Sequence, residues 1–371
     1  MQGKSTKAAL ALRAQLDAAV EHLLAAAGGP NNNAAAHVAM AHAPALECAG
    51  MVLPGAIVWC SRNGEASTAR SQFAIQQCEE VRSSSGGGAE SEHGNALDRR
   101  GLANSGDEQS LDRVRVGYHP QSAERIARAL IDQRVLSAAL CGDRAHPSVS
   151  DADAYDTIIA QHTIGRSRFD YALSHRDGRY VTIVEVKNVV GADFACDEVV
   201  PAARGTVGVY VSSEAQVVGG SAGQPPQRKR SAIFPHGSHK TVGGIGVVSD
   251  RAIKHVHELT MLHGTRCATT GREVRAAILF LVNRADCARF RPCHESDALF
   301  ARVLLRAHQR GVRVLAVSVR PRDDGSVQLV DARLPVWFDP CVRVEDIDEA
   351  HLKRVLEFNA DAATAAAKAR K

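Results

Sequence analysis

Residues 166–190 read RSRFDYALSHRDGRYVTIVEVKNVV, two apolar runs joined across Asp177 and Gly178. Gly tolerates the positive φ that tight turns demand, so the pattern predicts a β-hairpin. An even-length loop centred on Asp177 and Gly178 sets Asp170 opposite Glu185. Side chains alternate between the two faces of a strand, which puts Phe169, Tyr171, Val184 and Val186 on one face. Arg168, Asp170, Glu185 and Lys187 gather on the other. Directly opposed Cβ atoms lie ~4.5–5.5 Å apart, and like charges so placed repel.

A divalent cation would offset that repulsion. Mg²⁺, or Mn²⁺ in its place, is held by one or two carboxylates together with water and substrate phosphate, the arrangement of metal-assisted phosphodiester cleavage. Asp170 and Glu185 are the candidate ligands. Lys187, two residues beyond Glu185 on the same face, is placed to activate water or to stabilise charge on a phosphate. Spacing alone leaves a second reading open: one carboxylate pairs with Lys187 or Arg168, and the set is a solvated sheet face.

Working outward, residues 122–136 (SAERIARALIDQRVL) have helical periodicity and IIAQHTIG (158–165) reads as a strand leading into the hairpin. After it come a helix over 249–264, with Ser249 as N-cap and Gly264 past its end, and the apolar strand AAILFLV (276–282). A helix near 296–310 closed by Gly311 and a strand over 312–319 complete the series. The order is that of an α/β protein with a largely buried sheet. Upstream, LPGAIVWCS (53–61), FAIQQCEE (73–80) and RVRVGYH (113–119) read as strands of a small β unit over 37–119. Residues 82–110, polar and rich in Gly and Ser, read as a disordered insertion in it. Residues 1–36 read as an Ala-rich extension, 212–245 as a loose insertion in a main domain of 120–345, and 346–371 as a helical tail.

The order SRFD, hairpin, VEVK resembles the PD-(D/E)xK nuclease superfamily, and more closely the sugar fermentation stimulation protein family, with its SRxDF hairpin and EVK strand. The similarity extends through IFP (233–235), DRAIKHVHEL (250–259) and the strand, helix and strand of 276–319. It implies a nuclease-like mixed sheet flanked by helices, a small N-terminal OB-like unit, and DNA as partner, with RNA as a further candidate. It also implies a site of Asp170, Glu185 and Lys187, with phosphate contacts from Arg168, Arg251, Lys254 and His255. Gln161 stands where the family has a Glu completing the metal site, His236 where it has an Asp, and Ala252 where it has a Gly. These departures set a non-catalytic DNA-binding protein beside the Mg²⁺-dependent nuclease; a purely structural protein would bind neither metal nor nucleic acid.

The chain has 371 residues, 45% hydrophobic and 23% charged, enough to bury at least one sizeable core. A formal net charge of +4 permits an anionic partner without requiring one. Nine cysteines, with no CxxC pair, suit reduced thiols better than a disulfide framework or a zinc site. No apolar run approaches the ~18–20 residues of a membrane span, so a soluble intracellular protein is expected. The first sixteen residues carry Lys4, Lys7 and Arg13 without an acid, as organelle transit peptides do, but Asp17 and Glu21 soon break that pattern. Two further motifs point elsewhere and are set aside. HELTMLH is not HExxH, and His255 and His257 lie about 200° apart around a helix. GGIG (243–246) lacks the strand and helix of a dinucleotide site and reads as linker, as Arg228–Lys229–Arg230 reads as a solvated loop. Oligomeric state is not encoded in any of these signals.

Overall fold

A computed structural model describes residues 41–42, 52, 56–62, 73–82, 112–141, 155–164, 167–194, 208–211, 217–218, 227–228, 230–268 and 270–358. The Ala-rich extension, almost all of the 82–110 insertion and the chain after 358 lie outside them. Two compact units are distinguished. To the first belong the described residues 41–42, 61–62 and 73–74, where Ala41 and His42 pair in parallel with Phe73 and Ala74. The second takes in the remaining described residues.

The elements run in chain order as follows. Strands β1 (Ala41–His42), β2 (Val58–Arg62), β3 (Phe73–Arg82) and β4 (Asp112–Gly117) precede helices α1 (Pro120–Asp132) and α2 (Ser137–Cys141). Next come β5 (Tyr155–Ile164), β6 (Ser167–His175), β7 (Tyr180–Val189) and β8 (Gly191–Ala192). The short β9 (Val217–Val218) and β10 (Gln227–Arg228) are followed by β11 (Arg230–Phe234), β12 (Lys240–Val242), β13 (Ile245–Val247) and α3 (Asp250–Leu262). The chain continues through β14 (Glu273–Val282), β15 (Cys287–Pro292), α4 (Ala298–Gln309), β16 (Arg313–Pro321) and β17 (Val327–Leu334).

Six strands form one mixed sheet in the order β17-β16-β14-β7-β6-β5. β7, β14 and β16 are parallel neighbours, while β5, β6 and β17 join antiparallel. β14 is buried along most of its length, as a central parallel strand must be when helices cover both faces. On one face Ile183, Ile278 and Phe280 pack with Ile253, Val256 and Leu259 of α3 and Phe300 and Leu304 of α4. On the other, Leu173, Val184 and Leu279 pack with Ala127 and Ile131 of α1 and Leu140 of α2. This is the mixed sheet between helices that the sequence predicts.

The hairpin forms in the predicted register, with Tyr171 opposite Val184 and Leu173 opposite Thr182. The side chain of Ser249 accepts the Ala252 N–H at 3.2 Å and caps α3. Three local expectations are corrected. Phe169 leaves the face of Tyr171 and Val184 and joins the α3 side, its ring centroid 5.8 Å from that of His255. β6 can deviate there because Val186 N–H is taken by the Asp170 side chain instead of by a strand carbonyl. GGIG is no linker: Gly243 and Gly244, at φ 56° and 81°, make the two-residue turn between β12 and β13, whose backbone only residues tolerant of positive φ can adopt. Arg230 is not solvated either. It is buried in β11, stacks its guanidinium 4.3 Å from the Phe194 ring centroid and donates to Asp193 O at 3.1 Å. The predicted loose stretch of 212–245 thus contains β9, β10, β11, β12 and the first residue of β13 among its described residues.

Candidate metal centre

The hairpin delivers Asp170 and Glu185 into the sheet where β6 and β7 begin to part. Both carboxylates are buried, at 9% and 3% exposure, which decides that they are not a solvated face. Asp170 Oδ2 accepts the Val186 N–H at 2.7 Å, and Oδ1 accepts from Gln161 Nε2 at 3.4 Å. Glu185 Oε1 accepts from both Lys187 Nζ and His255 Nδ1. Its other oxygen, Oε2, is buried without a hydrogen-bond partner.

The two acids divide in their titration. Burial, followed by the Glu185 charge, pushes the Asp170 carboxyl up to about 7, against the pull of the Val186 N–H and Lys187. Burial also raises Glu185, but Lys187 and His255 outweigh it and hold that group at about 2. One anion is therefore fixed beside a carboxyl that resists ionisation. Such a pair is short of positive charge, and like-charge carboxylates at one site are a recognised cause of divergent values.

Of the residues singled out from sequence, Asp170, Glu185, Lys187, Gln161 and His255 come together. His255 does so differently from the expectation of a phosphate contact. It is 5% exposed, so it sits beneath Glu185 and orients that carboxylate, reached from α3 by the helical face that also buries Ala252 and Val256. Arg168 and Arg251 are exposed, and Lys254 lies 3.8 Å from Glu258 one turn along α3. Among the described contacts none of these three cations joins the cluster. Arg251 lies one turn before His255, on the same helical stripe.

Sequence reasoning missed Glu124. This half-buried α1 residue is 3.4 Å through Oε2 from Gln161 Nε2, and its charge adds to the upward push on Asp170. Tyr171, whose hydroxyl donates to Glu124 O at 2.8 Å, ties α1 to the hairpin. Gln161 holds φ 53°, a left-handed backbone unusual for a non-glycine residue and placed at the cluster itself.

The family model described as the sugar fermentation stimulation protein RE domain matches residues 247–325, which run from β13 through α3, β14, β15, α4 and β16. A sugar fermentation stimulation protein homolog of Syntrophotalea carbinolica is 30% identical over 182 residues, 49% of this chain and 55% of that protein. Over these residues the chain is similar to the sugar fermentation stimulation protein family. A second homolog, of Pseudomonas putida, is 41% identical over 93 residues, covering 25% of this chain and 35% of its own length. The chain spans about half the length of the first curated family relative it matches. The solved structure of Pyrococcus furiosus SfsA in complex with Ca²⁺ aligns with 77% of this chain and 80% of its own, at 15% identity and a TM-score of 0.43. No helix among the described residues is long and apolar enough to cross a membrane.

Proposed function

We propose that this protein binds DNA and hydrolyses its phosphodiester bonds at the Asp170–Glu185 pocket with Mg²⁺ or Mn²⁺ as cofactor. The supporting observation is Glu185 Oε2, a buried anionic oxygen without a donor, 3% exposed on a residue whose other oxygen is doubly occupied. An unpaired buried acceptor costs on the order of 1–3 kcal/mol, more when charged, so its retention calls for a ligand. The donors suit a hard cation: two carboxylates, with Gln161, whose amide nitrogen faces Asp170 here, supplying an oxygen only if that amide turns over. A bound divalent ion lowers the pKa of water and polarises the phosphate.

The protein's own groups do the rest. His255 fixes the orientation of Glu185, and Val186 N–H fixes Asp170, so neither carboxylate has to reorganise. Lys187 brings an ammonium to the pocket, where it stabilises charge developing on the scissile phosphate. The exposed Arg168 and Arg251 supply phosphate contacts that position a strand without reading its sequence.

Gln161 favours a second reading, a DNA-binding protein that retains the pocket and cleaves little, because a neutral amide faces Asp170 where an acid would strengthen cation binding. Cleavage of labelled DNA in Mg²⁺ or Mn²⁺ separates the two. Asp170→Asn is expected to lower the rate at least 100-fold with unchanged unfolding behaviour. Equal rates in that variant remove the mechanism, whereas salt-sensitive binding without turnover by the native protein establishes the second reading.

A further inference from the structure

Beyond β15 the chain turns through Cys293, His294 and Glu295, and a segment 40 residues later returns beside it. Phe290 N–H donates to Pro335 O and Trp337 N–H to Phe290 O, each at 2.8 Å, so the return segment runs along the end of β15. Asp339 and Cys341 are thereby carried to His294. One donor atom from each of the three lies within 4.8 Å of the others. His294 Nε2 is 3.4 Å from Cys341 Sγ. Ligands held at ~2.0–2.1 and ~2.3 Å by a tetrahedral ion stand about 3.5 Å apart, so this spacing is already that of two groups sharing one metal.

We propose that His294, Asp339 and Cys341 form a three-ligand site for a zinc-class divalent ion, with solvent in the fourth position. The donors are one imidazole nitrogen, one thiolate and one carboxylate oxygen, a borderline-soft set that Mg²⁺ and Ca²⁺ do not favour. The surroundings fit as well. His294 Nδ1, the ring nitrogen turned away from Cys341, lies 3.4 Å from Glu295 Oε2, and Arg291 holds Glu295 through both oxygens at 2.8 and 2.9 Å. The contact lacks hydrogen-bond geometry and leaves Nδ1 buried without a partner, but it sets a carboxylate on the side of the ring from which a metal-bound histidine is ordinarily supported. Asp339 Oδ1 accepts Cys341 N–H at 2.8 Å, which fixes the carboxylate and the thiol as one unit. Cys341 is exposed, so the fourth position opens to water and the ion pins the 339–341 turn to the end of β15.

The test uses the full chain, stripped with chelator in a phosphine reductant and titrated with Co²⁺. A thiolate-to-cobalt charge-transfer band saturating at one equivalent, displaced by Zn²⁺ and not by Mg²⁺, is expected. Affinity should fall at least tenfold in Cys341→Ser and in His294→Gln. It should persist in Cys60→Ser, which removes another exposed thiol, and in Glu185→Gln, which alters the other pocket. A Zn²⁺-dependent rise in Tm that is absent from Cys341→Ser gives the same answer by a second readout. No band, a band indifferent to Cys341→Ser, or a band lost in Cys60→Ser overturns the assignment.

Discussion

Two of the buried acidic pockets among the described residues, one at Asp193 and one at Asp170 and Glu185, solve the problem of buried charge in opposite ways. At Asp193, 0% exposed, Oδ1 accepts the Ser231 N–H at 2.7 Å and Oδ2 accepts Arg291 Nε at 3.1 Å. The same guanidinium, itself buried, spends its other two nitrogens on Glu295. Burial still raises Asp193, with Arg291 opposing, while at Glu295 the bond to Arg291 overcomes burial and lowers it. Every carboxylate oxygen in that pocket has a donor. At Asp170 and Glu185 two acids share one Lys and one His, one acid rises to about 7, and Glu185 Oε2 has no donor. Burial of charge alone therefore does not mark a site. A deficit of donors at two adjoining acids is what sets this pocket apart.

Removing the key group from each pocket should have opposite consequences. Arg291→Met leaves Asp193 buried without its cation, and loss of one partner of a buried pair costs about 3–5 kcal/mol. Chemical denaturation at neutral pH is expected to show a loss of that size. Asp170→Asn instead deletes a repulsion and is expected to change stability by less than about 1 kcal/mol in the absence of metal. If the two variants lose similar stability, the contrast between a saturated and an unsaturated pocket is wrong.

What could be read from sequence follows the range of the interactions. The hairpin register was legible because an even turn and strict alternation fix it locally, and α3 was legible from its apolar stripe and Ser249 cap. Phe169 escaped because alternation assumes that pairing continues, and at Asp170 a side chain replaces a strand carbonyl. Glu124 escaped because nothing in an amphipathic helix marks one of its acids, and only packing against Tyr171 brings it near Gln161. The role of His255 was misread for a related reason: its motif indicated a basic helix, whereas the turn on which it falls is set by the core. Cys341 and His294 are 47 residues apart, so a spacing rule tuned to CxxC pairs passes over them.

Gln161 offers a way to move the unsaturated pocket further from the saturated one. Gln161→Glu places a third acid beside Asp170 and within reach of Glu124, which should tighten Mn²⁺ binding about tenfold, equivalent to about 1.4 kcal/mol. Calorimetric titration of native protein and variant measures it. The metal-free variant should be no more stable than the native protein, since added negative charge has no added donor. Unchanged affinity would place the cation elsewhere than between these carboxylates.

The smallest effect expected is a pH dependence at the other end of the same hairpin. His175 is buried against Thr182, Nε2 lying 2.7 Å from Oγ1, and burial, then the charge of Arg275, lowers its pKa to about 4. The folded chain therefore keeps the ring neutral where the unfolded chain, titrating near 6.5, takes up a proton. The stabilising difference is complete above pH 6.5, declines as pH falls and is exhausted near pH 4. Allowing for screening next to the exposed Asp177 turn, it amounts to roughly 1 kcal/mol. His175→Gln should flatten that segment of the stability curve while leaving metal affinity at Asp170 and Glu185 unchanged. A shift in metal affinity would show instead that the two ends of the hairpin are coupled through β6.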